Sequence, residues 1–137
     1  MTALFLIGCA GAHPVDRLDL HFGPHVLRVR VADAPKERAA GLMGVTNLAP
    51  DEGMLFAYPE ASPRFFWMKD TPTALSIAYC DDKGVIVTMA DMEPLDTTLT
   101  PSHKPAMYVV EAKKGWFVEH GVAVGDLIVG LPGPAPK

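Results

Sequence analysis

His25-Val26-Leu27-Arg28-Val29-Arg30-Val31 places Leu27, Val29 and Val31 on one side of an extended chain and Arg28 and Arg30 on the other. Successive strand side chains point to opposite faces, so this period of two reads as a half-buried β-strand with its arginines outward. Val15–Phe22 alternates in roughly the same way, and Gly23-Pro24 between the two stretches is a turn signal, so together they form a hairpin. A second hairpin is read from Ala74–Cys80 and Val85–Met89 around the turn Asp82-Lys83-Gly84. Further strands are expected at Met54–Tyr58, ending at Pro59, at Phe65–Met68, at Ala106–Ala112 and at Leu127–Val129. The best helix lies within Ala32–Leu42. Pro35 suits a first turn, Asp33 or Ala34 would cap it, and Ala39-Ala40 favour its interior, for about two turns in all. Gly115–His120 reads as a short helical or turn segment. Asn47–Gly53, Glu60–Arg64 and the proline-rich Ala90–Pro105 read as loops, and Leu131–Lys137, with three prolines, as a frayed tail. Many short strands and one short helix, near 35–43, make a mainly β single domain, and a sandwich or a closed roll protects its edges best.

Composition agrees. The chain has 137 residues, enough for one domain that folds without a disulfide or metal staple. Apolar residues make up 49% and charged residues 20%, which excludes global disorder. The formal charge of −4 argues against electrostatic binding to nucleic acid or anionic lipid. No run approaches the ~18 apolar residues of a transmembrane helix.

Residues 1–12 read as a leader, 13–130 as the β domain and 131–137 as the tail. Met1–Ala10 is apolar and ends in small residues, and Leu6-Ile7-Gly8-Cys9 resembles a bacterial lipoprotein processing box. In that reading Cys9 becomes the acylated first residue, which anchors the protein to the membrane at the cell envelope or periplasm. The alternative is an ordinary apolar N-terminal strand on a cytoplasmic protein. Cys80, the only other cysteine, ends an apolar run before a turn and is expected to be a small buried hydrophobe without a disulfide.

Five blocks occur together: Glu37-Arg38-Ala39-Ala40-Gly41-Leu42-Met43, Gly53-Met54-Leu55-Phe56, Phe66-Trp67-Met68-Lys69-Asp70-Thr71, Tyr108-Val109-Val110-Glu111 and Gly121-Val122-Ala123-Val124-Gly125-Asp126. Their order and spacing resemble the DUF192 family of small bacterial and archaeal proteins. The resemblance spans roughly residues 15–130 and implies a jelly-roll-like β sandwich, frequent export and no assigned biochemical function. The chain departs from the family pattern at Ala74-Leu75-Ser76, where relatives show Pro-Leu-Asp, and it lacks the cysteine that relatives tend to carry after Pro94.

The blocks supply the candidate ligand-binding set: Arg38, Met43, Met54, Phe56, Trp67, Met68, Lys69, Asp70 and Glu111. Phe65-Phe66-Trp67 cannot all face inward on a strand, so at least one of these rings lines a groove, covers an edge or sits under a loop. An aromatic wall beside a few polar groups is the usual make-up of a small-molecule pocket. The competing reading puts these rings in the core and pairs Arg38 with Glu111 to tie the helix to the sheet. Trp67→Ala is expected to cost ~3–5 kcal/mol, as large aromatic deletions in cores do, and unchanged unfolding would favour the pocket. Met43, Met54 and Met68 raise the idea of a soft Cu(I) site, but no Met-x-x-Met or His-x-Met spacing supports it. His21 and His25 flank a turn without a zinc scaffold, and Ser102 beside His103 lacks a third partner for a catalytic triad. Asp70 with Glu111 would permit hydrolytic chemistry if the two converge. No motif calls for a cofactor or a metal.

These residues support three readings: a module binding a small ligand or an envelope protein, an enzyme of unknown reaction using Asp70 and Glu111, and a structural or assembly factor of the envelope. The export reading predicts lipid labelling of the protein in a bacterial host that disappears in Cys9→Ser. Labelling that persists in that variant contradicts it.

Overall fold

The structure, a computed structural model, describes residues 17–137. Cys9 and the leader 1–12 lie outside the described residues. β1 (Arg17–Phe22) and β2 (His25–Ala32) form the first hairpin, and their register sets Leu20 opposite Leu27 and Leu18 opposite Val29. The alternation at 25–31 thus has its expected cause: Leu27 and Val29 are buried and Arg28 is exposed. The chain then crosses through α1 (Pro35–Ala40), with proline in its first turn and Ala34 at its N-cap, into β3 (Glu52–Ser62), which runs parallel to β2.

β4 (Phe65–Phe66) pairs with β7 (Thr100–Pro101) in a two-stranded ribbon. β5 (Leu75–Cys80) and β6 (Ile86–Met92) form the second hairpin. β8 (Ala106–Lys113) lies between β3 and β5, antiparallel to both, and α2 (Trp116–Glu119) follows it. The six-stranded sheet therefore has the mixed order β1-β2-β3-β8-β5-β6. A closed roll does not form. Leu127–Val129, expected as a strand, makes only single bridges, Val129 to His21 and Leu127 to Val85, because Gly125 and Gly130 turn the backbone through positive φ on either side.

Both faces of the sheet are covered. Leu20, Leu27, Leu55, Val110, Trp116 and Phe117 pack in one layer. Met54, Phe56, Ile77, Tyr79, Val109, Leu42 and Met68 pack in the other. β5 is buried at every position and β8 at all but Lys113, which is why their sequences are nearly unbroken apolar runs instead of alternating ones. Glu111 is the only charged residue among the buried ones of β8.

Three local expectations are corrected. β3 does not stop at Pro59. It continues to Ser62, and its register with β8 slips between Ala57 and Ser62, so the missing proline N–H falls where no ladder bond is required. The strand expected over Phe65–Met68 shortens to Phe65–Phe66, because the Met68 N–H is taken by the Asp96 carbonyl at 2.7 Å. The tail is not frayed: the Tyr108 hydroxyl donates to the Pro132 carbonyl, and the N–H of buried Ala135 donates to the Tyr58 carbonyl.

Gly53 of β3 faces β8 in register with Ala112. A Cβ at this position would stand 2.1 Å from the Glu111 carbonyl oxygen, a backbone atom with little room to shift, and 3.2 Å from the Leu27 side chain. Gly53→Ala is therefore expected to lower unfolding free energy by more than ~3 kcal/mol in a denaturant titration. A loss under ~0.5 kcal/mol contradicts this account of the motif.

Candidate functional site

α1 and the turn after it cross one face of the sheet and leave a cavity of about 210 Å³ beneath them. Arg38 through Met43 form its roof, Phe56 and Tyr58 of β3 and Glu111 of β8 form its floor, and Phe65, Phe66, Trp67 and Thr71 close the side. Phe56 and Tyr58 share a face because they are two residues apart on one strand. The aromatic triplet divides between the two faces, with Trp67 just past the end of β4. Phe66 turns inward and meets Phe56 edge-on at 4.8 Å and Tyr79 at 5.8 Å. Phe65 and Trp67 turn outward and are 62% and 45% exposed. Trp67 is therefore a wall residue and not core, which removes the reason to expect a large stability loss from Trp67→Ala. A backbone bond of 2.8 Å from Gly44 N–H to the Asp70 carbonyl holds the Gly-Leu-Met turn against the Trp-Met block.

Glu111 is the unusual group. Its side chain is only 4% exposed, it lies between Met54 and Ile77 in register, and it has no ion pair or hydrogen bond among the described residues. Burial disfavours its charged form and pushes its pKa from the usual 4.5 to about 8. The expected Arg38–Glu111 ion pair does not form. Arg38 Nη1 instead donates to the Asp33 carbonyl at 2.7 Å and the Ala57 carbonyl at 2.9 Å, so the helix is tied to the sheet through backbone. Its guanidinium also lies 4.8 Å from the centre of the Tyr58 ring, and that of Arg64 lies 3.6 Å away. Burial raises the Tyr58 phenol pKa despite these two cations.

Of the nine candidates, Arg38, Met43, Phe56, Trp67 and Glu111 line one cavity. Lys69 stands at its lip with Nζ 5.4 Å from the Trp67 ring centre. Met54 and Met68 are buried in the apolar layer and do not line the cavity. Asp70 is exposed, adopts a left-handed turn conformation (φ 53°) and is also absent from the lining, so the structure does not gather Asp70 and Glu111 there. Sequence reading passed over Tyr58, Thr71 and Arg64. Tyr58 was legible as the same-face neighbour of Phe56, whereas Thr71 and Arg64 lie in irregular segments without a period.

The remaining candidates resolve locally. Ser76, in place of the aspartate of the family pattern, pairs in register with Ala112 on the sheet face opposite Glu111. Its hydroxyl donates to Asp91 Oδ1 at 2.6 Å and accepts the Gly115 N–H at 2.9 Å, so the departure leaves the cavity untouched. Buried Ser102 donates to the Lys104 carbonyl and accepts from the Arg64 N–H, which gives it a structural role in the loop. His25 meets His120, with ring centres 4.7 Å apart, while His21 falls on the opposite face of the hairpin. Cys80 is buried, and burial pushes its thiol pKa up. Among the described residues no helix is long and apolar enough to cross a membrane.

The raised pKa has a consequence for stability. A carboxyl whose folded pKa exceeds its unfolded one stabilises most below the unfolded value, and that stability is lost as pH rises through the folded value. Unfolding free energy is expected to fall by a few kcal/mol between about pH 4.5 and 8, and to stay nearly level over that window in Glu111→Gln. Urea titrations across the range check this, and a level wild-type profile contradicts it.

The DUF192 family model, described as "Uncharacterized ACR", matches residues 18–130. No curated protein matches the chain. A solved structure of a "putative transcription regulator" from Sinorhizobium meliloti 1021 is 34% identical, covers 83% of this chain and 92% of its own, and has a TM-score of 0.78. A protein of unknown function from Novosphingobium aromaticivorans is 30% identical, with coverage of 85% and 89% and a TM-score of 0.77.

Proposed function

This chain belongs to the DUF192 family, a family of unknown function, and from that premise we propose that it is a small-ligand-binding module whose site is the cavity under α1. Glu111 carries the reading. Its residue is 4% exposed and its carboxyl accepts no hydrogen bond among the described residues, yet no described side-chain oxygen is both fully enclosed and unpartnered, so the carboxyl opens onto the cavity. A ligand that offers a hydrogen-bond donor would supply the partner that the carboxyl lacks. Aromatic walls around a single buried polar anchor are the usual make-up of a small-molecule site.

The alternatives have less support. A two-carboxylate enzyme needs a second acid beside Glu111, and Asp70 stands exposed and outside the lining. A purely structural envelope factor leaves Glu111 without a reason. The regulator label of the Sinorhizobium relative does not extend to a chain of formal charge −4, which lacks the basic footprint of a nucleic-acid binder. Two finer expectations stay with the proposal. The two-sheet arrangement is a reduced jelly-roll-like sandwich, and export with a lipid on Cys9 would hold the cavity at the cell envelope.

A thermal-shift screen of metabolites tests the reading, because a ligand that prefers the folded state raises its stability. At least one compound is expected to raise the melting temperature of the wild type and to lose that effect in Trp67→Ala. That variant itself should lose less than ~1 kcal/mol of stability, as befits a half-exposed ring. A hit that stabilises Trp67→Ala and Glu111→Gln as strongly as the wild type places the ligand elsewhere and overturns the proposal.

A further inference from the structure

Resting on that reading, we propose that the cavity selects ligands presenting a cationic nitrogen, of alkylammonium type, to the Glu111 carboxylate among the rings of Phe56, Tyr58, Phe66 and Trp67. Glu111 is the only acid in the lining. An ionised carboxylate only accepts hydrogen bonds, and none of the described residues donates one to this carboxyl where it opens onto the cavity. An ammonium supplies both the missing donors and the missing countercharge. Aromatic faces add attraction for a cation. The protein already uses this attraction around the cavity, with Lys69 over Trp67 and with Arg38 and Arg64 over Tyr58.

Arg38 is the one cation in the lining, and it does not replace the ligand. Its Nη1 is committed to two backbone carbonyls and it makes no ion pair with Glu111. It leaves open an anionic ligand as the competing class, which the test includes. The titratable groups facing Glu111 are Tyr58 from β3, Tyr79 from β5 and Arg38 from α1. Both phenols have raised pKa values, so neither changes charge near neutral pH. The empty site then holds a proton on Glu111 up to about pH 8, and binding of an ammonium displaces it to solvent.

The experiment titrates the full chain with n-propylammonium, 1-propanol and propionate, three probes of similar size and different charge. It follows the Trp67 indole NMR signal as the report of site occupancy. The expected result is binding of n-propylammonium that tightens about tenfold per pH unit between about pH 6 and 8 and is lost in Glu111→Gln. Equal or stronger binding of 1-propanol or propionate at Trp67 overturns the inference but leaves the pocket standing. A silent Trp67 signal with all three probes also overturns the inference, while the metabolite screen decides separately whether the cavity binds anything.

Discussion

The Glu111 carboxyl sits in the middle of β8, a strand covered on both faces, and the surrounding architecture is arranged around that constraint. β3 presses on its backbone from one side, and only the missing Cβ of Gly53 permits the approach. β5 closes the other side with Ile77. The carboxyl has one direction left, into the cavity under α1. Burial makes its charged form costly, so the folded chain holds a proton at pH values where an exposed glutamate would have lost it.

The rest of the site follows from how the chain covers that face. The parallel step from β2 to β3 requires a crossover, and α1 with its following turn is that crossover. Arg38 fastens it by bonding to the Ala57 carbonyl, and the Gly44–Asp70 backbone bond fastens its far end to the aromatic block. The roof is thus held at two points and the space beneath it stays open. Phe66 turns to the interior while Phe65 and Trp67, the latter just past the end of β4, form the rim.

Much of this was legible in residue order. The clean alternation at 25–31 and the glycine-containing turns mark both hairpins, and the run Ala106–Ala112, apolar except for Glu111, marks a strand. Because Phe65, Phe66 and Trp67 cannot share one face of a strand, at least one of these rings had to meet a groove or an edge. What failed was pairing across space. Opposite charges at Arg38 and Glu111 suggested an ion pair, but main-chain carbonyls, which no sequence pattern marks, captured the guanidinium. Proline at 59 suggested a strand end, and a register slip absorbed it. The prolines after Leu131 suggested fraying, and two hydrogen bonds from the domain hold that segment down. Ser76, at the departure from the resembled pattern, falls on the sheet face opposite Glu111.

The most direct measurement is a carbon-13 NMR titration of the Glu111 side-chain carboxyl in the unliganded protein. A midpoint near pH 8, well apart from the exposed carboxylates, is the result this account predicts. A midpoint near the ordinary 4.5 would mean that Glu111 is solvated or paired, and the cavity would lose the group that gives it a purpose.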